Sequence, residues 1–150
     1  MTRILLINGA NMEWLGKREP EYYGTTTTDE LDALLRDHAA AKGYDIDIVY
    51  TNHEGEALDR IYRGAREGMD GLVMNPAGFT FGSVALQHCI KAIKPIPYVE
   101  VHMTQIEQRG LHSVIAEAAK GVVFGFGTQS YILGLDAMLH LIDHRMPAPS

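Results

Sequence analysis

Cysteine is nearly absent from this chain, with Cys89 alone in 150 residues. That count excludes a disulfide framework and makes a reducing, cytoplasmic setting the default expectation. Cys89 shares an apolar helical pattern with Val84, Leu86 and Ile90 and reads as a packed thiol. Long apolar runs are missing as well. None approaches the ~20 residues of a membrane span, and Ile4 to Ile7 is too short for a signal-peptide core. Thirteen basic residues face nineteen acidic ones, for a net charge of −6, and no basic cluster relieves it. A nucleic-acid partner is therefore not expected. His38, His53, His88, His112, His140 and His144 show no metal-ligand spacing, and there is no Cys pair or carboxylate cluster. No metal is expected. Gly125-Phe-Gly127 lacks the rest of any phosphate-binding signature, and internal repeats and linkers are absent.

What is present is ordinary for a soluble protein, with 46% hydrophobic and 21% charged residues. The length suits one domain with a sizeable core, expected over 1–145, followed by a disordered tail from Met146 to Ser150. Strand and helix signals alternate throughout. Ile4–Asn8 reads as a buried strand. Thr28 reads as the cap of a helix carrying Leu31, Leu34, Leu35 and His38 at helical spacing, closed by Lys42-Gly43. Tyr44 to Tyr50 alternates as a strand with one wetter face, near an edge. A helix over Glu54–Glu67, a strand over Gly71–Met74 and a helix over Phe79–Ile93 follow. Strands over Pro97–Val101 and Gly121–Phe124 and a helix over Ser130–His144 complete the pattern. Helical crossovers require parallel pairing. Five such strands predict an α/β, flavodoxin-like doubly wound sheet with helices on both faces. In that fold ligands bind beyond the carboxyl ends of the strands. Asn8, Asn52, Asn75, Glu100 and His102 all fall at those ends.

The stretch from Asn8 to Gly24 is the most informative. It carries glycines, amides, an arginine and two tyrosines before a long helical pattern resumes, and loops of that length are usually functional. Arg18 and Tyr23 are five residues apart. A phenol of ordinary pKa near 10 is a poor base at neutral pH unless a cation stabilises its anion, and Arg18 is permanently charged. Tyr22 competes with Tyr23 for that part. Glu100 and His102 point to the same face of a strand, so a carboxylate can orient the imidazole as a proton donor. The plain alternative is a solvated Glu beside a His that merely ends the strand. Asn11 and Asn75 are candidate amide donors to an oxyanion or a water. Asn75-Pro-Ala-Gly78 leading to Thr80 also reads as a turn and helix cap without a ligand.

The same residues resemble the type II 3-dehydroquinate dehydratases from end to end. Matching blocks are Asn8-Gly-x-Asn11, Leu15-Gly-x-Arg18-Glu-Pro-x-x-Tyr23-Gly24 and Asn52-His-Glu-Gly-Glu56. Asn75-x-x-Gly78-x-Thr80, Ser83-Val-Ala-Leu86, Val99-Glu-Val-His102 and Lys120-Gly-Val-Val-x-Gly-Phe-Gly127 follow in order. The resemblance implies cofactor-free anti elimination of water from a cyclic hydroxy-ketone carboxylate, 3-dehydroquinate, on the shikimate or quinate route. It also implies subunits assembled through trimers into a dodecamer. Carried over by position, Tyr23 matches the base, Arg18 the residue that promotes its ionisation, and Asn11 the amide that holds a water against the enolate. His102, oriented by Glu100, matches the acid. Asn75 matches a substrate-binding amide, Met103 adjoins that set, and Thr104 falls where a serine usually grips the carboxylate.

The departures are specific. Where the family usually reads Leu-Thr-His-Thr-Ser, this chain has Phe79-Thr-Phe-Gly-Ser83, so an expected substrate-binding histidine is Phe81. His88 replaces a carboxylate that normally reaches a neighbouring subunit's site. The segment from His102 to His112 is three residues short, and Gly110 stands where an arginine is expected. Arg109 is the candidate substitute, although counted forward from His102 it matches a different arginine of the family. These changes allow a second reading, a lyase or hydrolase acting on a less hydroxylated cyclic ketone. A non-catalytic binding or assembly protein is the third.

Overall fold

The apolar run that starts at Ile4 becomes β1 (Arg3–Ala10), longer than its apolar core because it pairs on both sides. The computed structural model describes residues 1–17 and 19–145, so Arg18 and the expected disorder of the tail from Met146 to Ser150 lie outside the described residues. After β1 come α1 (Pro20–Tyr23), α2 (Thr28–Lys42), β2 (Asp45–Tyr50), α3 (Glu54–Arg66) and β3 (Gly71–Ala77). Then α4 (Val84–Ala92), β4 (Tyr98–His102), β5 (Gly121–Phe124) and α5 (Gln129–Asp143) complete the order. The strands form one parallel sheet in the order β2-β1-β3-β4-β5. This is the doubly wound, flavodoxin-like arrangement the alternation predicts, with β2 at an edge.

Alternation along β1 divides the core. Ile4 and Leu6 pack under α2 and α5 with Leu31, Leu35, Tyr131, Leu135 and Met138. Leu5 and Ile7 face α3 and α4, against Ala57, Ile61, Leu86 and Ile90. Cys89 is buried in that second layer, where desolvation pushes its thiol pKa upward. Gly9 lies so close to β3 that an added Cβ would collide with the Pro76 carbonyl. The sheet therefore needs glycine there.

Several boundaries differ from the sequence expectation. The cap of α2 is Thr27, not Thr28. Thr27 Oγ1 accepts from the Glu30 N–H at 3.2 Å while the Glu30 carboxylate accepts from the Thr27 N–H. A capping box needs a Glu or Gln three residues on, and of Thr25 to Thr28 only Thr27 has one, Glu30. Thr27→Ala is expected to cost about 1 kcal/mol, measured by urea denaturation. Leu34 is exposed, because the buried stripe of α2 runs through Leu31, Leu35 and Ala39. Helix α4 starts at Val84 rather than Phe79. Residues 76–83 form tight turns, with Phe79 N–H to the Pro76 carbonyl at 2.8 Å and Ser83 N–H to the Phe79 carbonyl at 3.1 Å. Ser83, not Thr80, caps the helix by accepting from the Leu86 N–H at 3.2 Å. The first loop is also less open than expected, since it contains a 3-10 turn over Met12–Trp14 as well as α1.

Candidate active site

Three strand ends build the site, those of β1, β3 and β4. Its floor is a buried polar chain. The Tyr131 hydroxyl donates to Asn8 Oδ1 at 2.6 Å and accepts from Asn75 Nδ2 at 2.9 Å. Asn75 Oδ1 accepts the Ala77 N–H at 3.1 Å, which holds Ala77 at φ 46° in the left-handed region. Such strain in a non-glycine residue clusters at functional sites. Burial drives the Tyr131 phenol well above the ordinary range, so it stays a neutral donor. Asn8, which the sequence places among the convergent groups, is fully buried and acts from below.

Asn11 adopts φ 77°, a conformation asparagine tolerates better than most residues. Its N–H donates to Asn52 Oδ1 at 2.8 Å, and Asn52 Nδ2 donates to the Glu13 carboxylate at 2.6 Å. Asn52 thus shapes the loop. The Asn11 side-chain amide lies over Gly78, where an added Cβ would sit 3.1 Å from its nitrogen.

On β4, residues 98, 100 and 102 share one face. His102 Nε2 donates to Glu100 Oε2 at 2.8 Å, and the Tyr98 hydroxyl donates to Glu100 Oε1 at 2.9 Å. The Glu100 side chain is 0% exposed and that of His102 6%. Burial, reinforced by the Glu100 charge and hydrogen bond, pushes the Tyr98 phenol far above its usual range. It remains a donor that satisfies one side of the buried carboxylate. With Nε2 committed to Glu100, Nδ1 is the nitrogen the ring can offer to the crevice.

Tyr23 ends α1 and is followed by Gly24 at φ 69°. Arg109, on the 3-10 turn Ile106–Arg109, sends Nη1 to the Tyr23 hydroxyl at 3.4 Å and to Thr104 Oγ1 at 3.1 Å. Arg109 therefore meets Tyr23 despite the shortened segment. Its guanidinium carbon lies 4.4 Å from the centroid of the Tyr22 ring, and Tyr22 is outside the crevice lining.

The crevice has a volume of about 210 Å³ and brings together Asn11, Tyr23, Asn75, Phe81, His102, Met103, Thr104 and Arg109. Glu100 stands behind His102. His88 is not brought in; it is exposed on α4. Met12, Ile106 and Leu111 also line the crevice and went unread in the sequence, because loop residues carry no periodicity to mark them. Among the described residues no group of three or more His, Cys, Asp or Glu side chains could hold a metal ion, and no helix is long and apolar enough to cross a membrane.

This is a doubly wound α/β domain that gathers a phenol, a guanidinium and a carboxylate-bound imidazole at its strand ends. The Dehydroquinase class II family matches residues 2–139. The 3-dehydroquinate dehydratase of Syntrophotalea carbinolica is 42% identical over 145 residues, 95% of this chain and 97% of that protein. That of Pelobacter propionicus is 41% identical over 146 residues, again 95% and 97%. Among solved structures, the type II dehydroquinase of Butyrivibrio crossotus superposes with a TM-score of 0.88 at 30% identity, covering 92% of this chain and 97% of that one. A 3-dehydroquinate dehydratase-like protein of Bifidobacterium longum gives a TM-score of 0.73 at 27% identity, covering 96% and 100%. The chain belongs to the class II dehydroquinase family and is a carbon–oxygen lyase.

Proposed function

We propose that this chain dehydrates 3-dehydroquinate to 3-dehydroshikimate through an enolate, with Tyr23 as base and His102 as acid. The observation that carries the proposal is the meeting in one crevice of Tyr23, with Arg109 at its oxygen, and His102, with Glu100 behind it. The Tyr23 phenolate takes the proton from C2, which the neighbouring ketone acidifies. The electron pair passes to the ketone oxygen as an enolate. It then returns to form the C1–C2 double bond as the C1–O bond breaks. His102 gives its proton to the departing hydroxyl, which leaves as water. The guanidinium of Arg109 stabilises the phenolate, as an ion-assisted hydrogen bond does. Arg18 is a second cation for that oxygen on the strength of the sequence motif. Asn11 holds a water or the enolate oxygen by its amide, and Asn75 and Thr104 bind substrate.

The test is direct. Purified protein given 3-dehydroquinate without added metal should produce a conjugated enone, followed by ultraviolet absorbance. A folded protein with no turnover would remove the proposal. The lone buried thiol fits the cytoplasmic setting proposed for it. Exposed Val122, Phe126 and Leu133 supply apolar surface for the proposed trimer-based dodecamer.

A second reading, a less hydroxylated ketone as substrate, is favoured by Phe81 and Leu111 in the crevice wall. Neither offers a partner to a ring hydroxyl. Phe81→His is expected to lower KM for 3-dehydroquinate about fivefold or more, a hydrogen bond being worth roughly 1 kcal/mol. An unchanged KM would dispose of this second reading. The non-catalytic alternative does not explain why so many proton-transfer groups converge.

A further inference from the structure

The family pattern through the first loop leaves position 22 open, and Tyr22 has no place in the core or in the crevice lining. It is 45% exposed, at the tip of the single-turn helix α1. An exposed aromatic ring there calls for a physical reason, and its contacts supply one. The Arg109 guanidinium carbon sits 4.4 Å from the Tyr22 centroid, within cation–π range, and 6.0 Å from that of Tyr23. The two rings meet edge to face, with centroids 6.2 Å apart and planes at 66°. Arg109 Nη1 bonds Thr104 Oγ1 and the Tyr23 hydroxyl. One guanidinium is thus held from two sides, by hydroxyls at its edge and by an aromatic face above it.

We propose that Tyr22 is a positioning residue, whose ring holds the Arg109 guanidinium against the Tyr23 oxygen. The proposal rests on the reading of Tyr23 as base. An arginine side chain has several rotatable bonds, and fixing it on one acceptor carries an entropic cost. A flat face stacked on a planar cation restricts those rotations without using any of its N–H donors. Because the face and the base are adjacent residues of one helical turn, that turn brings both to the same guanidinium. Placement of the base and placement of the positive charge are then coupled through α1.

The test compares Tyr22→Phe, which keeps the aromatic face, with Tyr22→Leu and Tyr22→Gln, which remove it. With 3-dehydroquinate as substrate, Tyr22→Phe is expected to stay within about twofold of the parent. Tyr22→Leu and Tyr22→Gln should each lose about tenfold in kcat, a larger change than in KM. The same substitutions on an Arg109→Met background should add nothing, since interacting residues are non-additive. Equal losses on both backgrounds, or no loss on the native one, would overturn the inference. A readout independent of turnover is the Arg109 side-chain N–H resonance. The ring current of Tyr22 should displace it in the parent and in Tyr22→Phe, but not in the Leu and Gln variants. A parent with that displacement but inert toward 3-dehydroquinate would sink the reading of the site itself; a parent without it would sink the part given to Tyr22.

Discussion

Tyr23→Phe removes one oxygen and is expected to lower kcat for 3-dehydroquinate by roughly 10²- to 10⁴-fold, the range a positioned base contributes. Steady-state ultraviolet assays measure this, with circular dichroism showing that the variant keeps its fold. The substitution should be structurally mild, because the lost hydroxyl faces the crevice and its neighbour Arg109 keeps its bond to Thr104. No other buried phenol can take over. Burial raises the pKa of Tyr44, Tyr50, Tyr98 and Tyr131, and hydrogen bonds to Asp32 and Glu100 raise Tyr50 and Tyr98 further. Full activity in the variant would move the base elsewhere and leave the crevice without its central group.

Glu100→Gln is the second large effect, with kcat expected to fall about 10²-fold or more. The carboxylate accepts from His102 Nε2 and from the Tyr98 hydroxyl, and it is fully buried. An amide keeps the shape and still accepts from Tyr98. Its other end, however, presents an N–H to His102 Nε2, which must then accept. The hydrogen bond is reversed and loses its charge assistance, so the ring no longer holds the tautomer that Glu100 sets. A comparable change of orienting partner gives a correctly placed but incompetent histidine in other acid–base enzymes. KM should move little, since Glu100 does not line the crevice. A variant with parental kcat would mean that His102 does not deliver the proton to the leaving hydroxyl.

Much of this was legible in the chain because each strand carries its own punctuation. The uninterrupted Ile4–Ile7, the glycine at Gly71 and the i, i+2 spacing of Glu100 and His102 fix strand positions and faces locally. The parallel sheet then follows from the helices between them. What escaped was non-periodic. The 76–83 turns hold Phe79 in the core through backbone hydrogen bonds, so its apolar character mimicked a helix start. Four consecutive threonines, Thr25 to Thr28, hid which one caps α2 until the Glu30 partner selected Thr27. The contact of Arg109 with Tyr23 joins residues 86 positions apart. No spacing rule reaches across that distance. The buried part of Asn8 was likewise invisible, because its partner Tyr131 lies on the last helix.

The chain's single tryptophan, Trp14, belongs to the loop that carries Asn11 and Tyr23. It is 55% exposed, with the Lys17 ammonium 4.4 Å from the centre of its indole. Tryptophan emission from this protein accordingly has one origin, in the segment that frames the crevice and beside an ammonium charge. The fold has supplied its own optical reporter. Changes in tryptophan emission on adding a ligand will register rearrangement of that loop, with no second indole to contribute.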